Sequence, residues 1–275
     1  MIQAAIFDLD GVLVKTEEIK ALSYSRAFAR LCPGMVSETA VEDAYHESVR
    51  NAVPGNEDAC SIISETEVID TYQSMVGRSR REMAEALINR FGLENTLRRR
   101  MTAYGVTEPW QALIKVRMPI YESLISDPEL LRYSQWPHNV LLLHSLRKDG
   151  YRSALATMSE QKHVQRILDV LGLTGLFDCV VTGEGVGHGK PDPEIYLLIS
   201  RGLSLPPSAC LVFEDSPSGI RAGLAAGMPV IAITTPFTRE AVHSARILDE
   251  RWIVDDPATL RAVVSRMLEE RKKEL

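Results

Sequence analysis

From Pro137 onward, short apolar runs alternate with helix-like stretches. The runs lie at 151–157, 179–182, 209–213, 229–233 and 252–254, and the helical stretches between them are each about three turns long. The stretch after Ser159, read as that helix's cap, carries Val164, Ile167, Leu168 and Leu171 on one stripe. Strands that are apolar throughout are buried on both faces, and a helix between two strands returns the chain parallel to itself. The expected fold class is therefore α/β, with a doubly wound, Rossmann-like parallel sheet. An apolar run at 2–7 supplies one further strand, far from the rest in sequence.

In such sheets ligands bind at the carboxyl ends of the strands. Three ends carry chemistry. The first run leads into Asp8-Leu9-Asp10-Gly11-Val12. Read as structure alone this is a turn, since Asp and Gly form turns. Read as function, a carboxylate there can attack phosphorus or carbon, hold a cation, or move a proton. The run 151–157 ends at Thr157-Met158-Ser159, where a hydroxyl and free N–H groups before a helix suit phosphate oxygens. The run 209–213 ends at Glu214-Asp215, a second acidic pair. Two facing acidic pairs repel unless a divalent cation neutralises them, and an oxygen-only ligand set suits Mg²⁺. Lys190, in Gly189-Lys190-Pro191-Asp192-Pro193, lies in a loop between strand and helix and can offset a carboxylate's charge.

Between about 35 and 135 the texture is helical, without strand–helix alternation. Thr16 is read as a helix N-cap ahead of Tyr24, Ala27, Phe28 and Leu31 on one face. A helix is expected from Met75 to Gly92, an exposed loop at 54–58, and chain breaks at Pro119, Pro128 and Pro137, the last also near the start of a helix expected over 137–148. The expected division is a core of residues 1–15 and 135–275 with an inserted helical domain at 16–134.

A formal net charge of −6, from 31 Lys+Arg against 37 Asp+Glu, argues against a dedicated nucleic-acid binder. Cys32, Cys60, Cys179 and Cys210 form no Cys-x-x-Cys pair and read as reduced cytoplasmic thiols, with Cys179 and Cys210 in the core. No leader or membrane-spanning run is expected. The histidines lack zinc spacing; His138, His144 and His163 are assigned to helix surfaces and His188 to the neighbourhood of the site. The glycine-rich stretch 183–190 fails as a phosphate-binding P-loop, because Pro191 stands where Ser or Thr is needed.

Asp8-Leu9-Asp10-Gly11-Val12, Ala156-Thr157, Gly189-Lys190-Pro191-Asp192-Pro193 and Phe213-Glu214-Asp215-Ser216-Pro217-Ser218-Gly219-Ile220 resemble, in order and spacing, the four motifs of the haloacid dehalogenase-like superfamily. The resemblance implies Asp8 as a nucleophile forming an aspartyl-phosphate and Asp10 as general acid/base. It implies Thr157 and the Met158 N–H on the phosphoryl group, and Lys190 as the partner of Asp8. Mg²⁺ is then held by Asp8, the Asp10 carbonyl, Glu214 and Asp215. Dehalogenases of the superfamily lack the second Asp, so Asp10 points to phosphate esters. The inserted segment resembles the helical cap of the phosphatase and β-phosphoglucomutase-like branch. Gly77-Arg78-Ser79-Arg80 resembles its specificity loop, placing Arg78, Ser79 and Arg80 on the substrate. Two positions depart from the branch: Lys15 stands where Asp is usual, and Lys20 where the mutases carry His.

The expected function is a Mg²⁺-dependent phosphatase acting on a small phosphorylated metabolite, as a monomer or homodimer without nucleic-acid or membrane partners. The alternatives are a sugar-phosphate mutase and a non-catalytic ligand-binding relative.

Overall fold

The protein was analysed as a computed structural model describing residues 1–32, 63–76 and 80–273. Six parallel strands form one sheet: β1 (Ala4–Phe7), β2 (Arg152–Ala156), β3 (Cys179–Val181), β4 (Cys210–Glu214), β5 (Val230–Ile233) and β6 (Ile253–Val254). Their spatial order is β3-β2-β1-β4-β5-β6. Although β1 comes first in sequence, it is central: Ala4 to Phe7 pair with Arg152 to Leu155 on one side and Cys210 to Phe213 on the other. Every residue of β1, β4 and β5 is buried, as runs covered on both faces require. Phe7 and Phe213, neighbours across β1 and β4, stack at 4.7 Å between centroids.

Helices fill the connections. Residues 161, 194, 217 and 260 open helices that run Gln161–Leu171, Glu194–Gly202, Pro217–Ala225 and Leu260–Lys273. Ile195, Tyr196 and Ile199 of one and Ile220 and Ala222 of another join a single core with Ile6, Ala154 and Val212 of the sheet. Each large aliphatic chain buried there contributes roughly 1.5–3 kcal/mol of transfer free energy.

The chain divides into two compact units, Met1–Glu17 with Ile125–Leu275, and Glu18–Leu124. The second is helical among its described residues and includes Glu65–Gln73, Arg80–Phe91 and the body of Pro109–Ser126. Its core is aromatic: Phe28 meets Phe91 edge-on at 5.3 Å, and Tyr24 lies 5.6 Å from Tyr72. The buried Arg117 guanidinium sits over the rings of Tyr24 and Tyr121, while its Nε donates to Ser23 Oγ at 2.8 Å.

Several local expectations change. Pro119 does not break the chain but lies at an exposed position inside the Pro109–Ser126 helix, where it costs that helix one N–H bond and a ring clash with the carbonyl four residues earlier. Pro128 opens a helix instead of breaking the chain, at the first turn where a missing N–H costs nothing. The helix expected over 137–148 is present as Pro137–Lys148, with its proline at the same kind of position. Met75 and Val76, foreseen as the start of a helix, lie in a turn, and the described helix of that stretch is Arg80–Phe91. His163 is buried rather than exposed, since its side of the Gln161–Leu171 helix also carries the apolar stripe. Cys210 is fully buried but Cys179, on edge strand β3, only partly so. Cys60, the loop at 54–58, and Gly77, Arg78 and Ser79 lie outside the described residues.

Candidate active site

Asp8 follows β1 without a break, its N–H donating to the Phe213 carbonyl at 3.0 Å. Gly11 then turns the chain at φ +75°, and its N–H bonds the Val14 carbonyl at 2.8 Å. A Cβ at Gly11 would fall onto the Asp215 carboxylate, so both the backbone angle and the close approach require glycine. Gly219 is constrained likewise: a Cβ there would overlap the Glu214 carboxylate.

Lys190, whose peptide bond to Pro191 is cis, is brought in by the loop after β3. Glu194 secures that loop by accepting from the N–H groups of Gly187 and His188 at 3.0 and 2.8 Å. Lys190 Nζ donates to the Ala156 carbonyl at 3.2 Å and to Glu214 Oε1 at 2.5 Å, and stands 3.1 Å from Asp8 Oδ1. One ammonium therefore ties together the ends of β2, β1 and β4, three neighbouring strands.

The carboxylates differ in how they are satisfied. Glu214 Oε1 accepts from Lys190 and from the Tyr196 hydroxyl, the latter at 2.6 Å. Its Oε2 accepts from the Asp215 and Ser216 N–H groups and from Ser216 Oγ. A carboxylate has about four lone-pair positions, so Glu214 is saturated. Asp8 Oδ1 is buried without a hydrogen bond of good geometry, and the Lys190 ammonium lies 3.1 Å from it. Burial, with the nearby charges of Glu214 and Asp10, outweighs Lys190 and pushes the Asp8 carboxyl up to about 8. Burial first, then Glu214 and Asp8, raises Asp215 well above the usual carboxylate range. Burial alone would lower the Lys190 ammonium, but the charges of Asp8 and Glu214 prevail and raise it.

Asp8, Glu214 and Asp215 offer oxygens within 4.8 Å of one another. Three buried acids face one lysine, burial pushes two of their carboxyls upward, and one oxygen lacks a donor. That donor set fits a hard divalent cation. The Asp10 side chain stands outside this cluster. Its Oδ1 accepts from Thr16 Oγ1, and its Oδ2 from Ser159 Oγ at 2.7 Å and Thr157 Oγ1 at 3.3 Å. Thr16 and Ser159 were both expected to cap helices. The helix after Ser159 instead begins beyond Glu160, without a side-chain cap, because the serine hydroxyl is used on Asp10.

Met158 is 43% exposed, with its Cε placed 3.2 Å from where a Cβ of Gly189 would be. His188, also expected near the site, points outward with its side chain 78% exposed and pairs with Glu194 at 3.1 Å. Lys15 lies over the Trp136 and Tyr133 rings at 4.8 and 5.6 Å. Arg80 is exposed at the start of its helix in the second unit. Sequence reasoning read Thr16 and Ser159 as helix caps and gave Tyr196 no role, so it missed their contacts to Asp10 and Glu214. For Ser159 the signal was its place two residues past Thr157; for Tyr196 there was none.

Residues 2–227 match the haloacid dehalogenase-like hydrolase family. The chain belongs to that family. Among similar proteins, validoxylamine A 7'-phosphate phosphatase of Streptomyces hygroscopicus subsp. limoneus is 26% identical over 92% of this chain and 97% of its own. A phosphorylated carbohydrates phosphatase of Thermotoga maritima is 27% identical over 82% of each chain. Among solved structures, the β-phosphoglucomutase of Clostridium difficile superimposes with a TM-score of 0.62 at 23% identity, covering 100% of this chain and 98% of its own. That likeness is one of fold. The six-stranded parallel sheet is thus the α/β core of a haloacid dehalogenase-like hydrolase. No described helix is long and apolar enough to cross a membrane.

Proposed function

We propose that this hydrolase is a Mg²⁺-dependent phosphatase cleaving the monoester of a small phosphorylated metabolite, a sugar phosphate above all. The observation that carries the reading is the buried Asp8, with an oxygen that lacks a hydrogen bond of good geometry, facing Lys190 at the ends of three adjacent strands. The two full-length phosphatase relatives support phosphate monoesters over other substrates of the family.

Asp8 attacks phosphorus, and the bond from phosphorus to the ester oxygen breaks. The leaving oxygen takes a proton from Asp10, whose carboxyl is held in place by three hydroxyls. Water then attacks the aspartyl-phosphate on Asp8, giving its proton to Asp10 and releasing phosphate and the free carboxylate. Lys190 offsets charge on Asp8, and Thr157 with the Met158 N–H contacts the phosphoryl oxygens. Asp8, Asp215 and the Asp10 carbonyl, with Glu214 beside them, hold Mg²⁺. When bound, the ion supplies positive charge against the phosphoryl oxygens. Residues 16–134 act as a cap, with Arg78, Ser79 and Arg80 on the rest of the substrate. We place the enzyme in the cytoplasm, as a monomer or homodimer without nucleic-acid or membrane partners.

The test is phosphate release from p-nitrophenyl phosphate and a panel of sugar phosphates. Wild type with Mg²⁺ is expected to be active; wild type in EDTA and Asp8→Asn are expected to lose at least 10³-fold. Release that survives Asp8→Asn would refute the covalent mechanism.

A further inference from the structure

Tyr196 lies on the inner face of the Glu194–Gly202 helix with no exposed surface, flanked in the core by Ile195 and Ile199. Phenylalanine would fill the same space without a buried hydroxyl to satisfy, so packing does not explain the phenol. Its hydroxyl donates to Glu214 Oε1 at 2.6 Å, the same oxygen that receives Lys190 Nζ at 2.5 Å. Its ring stands 5.3 Å from that Nζ. One side chain thus addresses both partners of the ion pair that faces Asp8. A lysine ammonium on a flexible four-carbon stem takes its position from its acceptors. Here those acceptors are the Ala156 carbonyl and Glu214, and Asp8 is the ion-pair partner at 3.1 Å.

We propose that Tyr196 is a positioning residue: its hydroxyl sets Glu214 Oε1 so that Lys190 is aimed at Asp8. Catalysis is where this acts, so the proposal rests on the phosphatase reading. Tyr196→Phe keeps the ring and removes one hydrogen bond. The expected result with p-nitrophenyl phosphate is a kcat about tenfold lower, worth about 1.4 kcal/mol in the barrier, at an unchanged KM. Any sugar phosphate turned over is expected to lose the same factor, because the nucleophile and not substrate recognition is affected. Ser200→Ala is the stability control; it removes a bond of 2.6 Å to the Leu205 carbonyl near the far end of the same helix. It is expected to lower Tm and leave kcat alone. A second readout needs no turnover. The Tm losses of Tyr196→Phe and Lys190→Met are expected to be non-additive in the double variant. An unchanged kcat in Tyr196→Phe, equal kcat losses in the two helix variants, or additive Tm losses would each overturn the assignment. A wild type without Asp8-dependent hydrolysis would instead refute the phosphatase reading, and the Tm cycle would still decide the role of Tyr196.

Discussion

Lys190→Met keeps the length of the side chain and deletes the positive charge that sits between Asp8 and Glu214 at ion-pair distance, 3.1 Å from one and 2.5 Å from the other. Both carboxylates are buried, with side chains 9% and 0% exposed. Removing one partner of a buried pair costs about 3–5 kcal/mol, because the remaining charge is left unscreened. The lower end applies here for two reasons. Glu214 keeps its bonds from Tyr196 and Ser216, and Asp8, with its carboxyl pushed up to about 8, is already more than half protonated at pH 7.5. A loss of about 3 kcal/mol corresponds to a fall in Tm of roughly 6–12 °C for a chain of this size. The assay is thermal unfolding followed by circular dichroism at pH 7.5 in EDTA, so that no cation replaces the ammonium. Lys190→Met/Glu214→Gln removes the stranded charge as well and is expected to recover part of the loss. A fall below about 2 °C, or a double variant less stable than Lys190→Met alone, would show that the lysine does not compensate these carboxylates.

In metal-free protein Asp8 titrates at about 8 instead of 3.8, mainly through burial. The folded state therefore holds more protons than the unfolded state between those values, and stability falls as pH rises through that window. The expected slope is up to about 1.4 kcal/mol per pH unit, seen as a Tm decline from pH 6 to 8 in EDTA that Mg²⁺ abolishes; a flat or rising Tm in EDTA would contradict it. Ser159→Ala removes a 2.7 Å bond to Asp10 and is expected to lower kcat about tenfold at constant KM, with steady-state phosphate release as the measurement.

The sheet was legible because strands buried on both faces must be apolar throughout, as in Ala4–Phe7 and Val230–Ile233. Residues next to strand ends were legible too, because the carboxyl edge of a parallel sheet brings Asp8, Thr157 and Glu214 to one place whatever their separation in sequence. Thr16 and Ser159 were not. Each sits where a local rule assigns a cap, and that rule knows nothing of an aspartate brought alongside by the fold. Tyr196 was hidden for the opposite reason. On an apolar helix face a tyrosine looks like core until the acceptor beneath its hydroxyl is seen.

The central place of β1 has a consequence for synthesis. Ala4 is made long before its partners Arg152 and Cys210. At 5–20 residues per second the first neighbour follows on the order of ten seconds afterwards. Through that interval four apolar residues and both edges of their backbone have no sheet to join. The strand that leads into Asp8 is thus made well before either of its neighbours, and a newborn chain depends on whatever shelters it until β2 and β4 arrive.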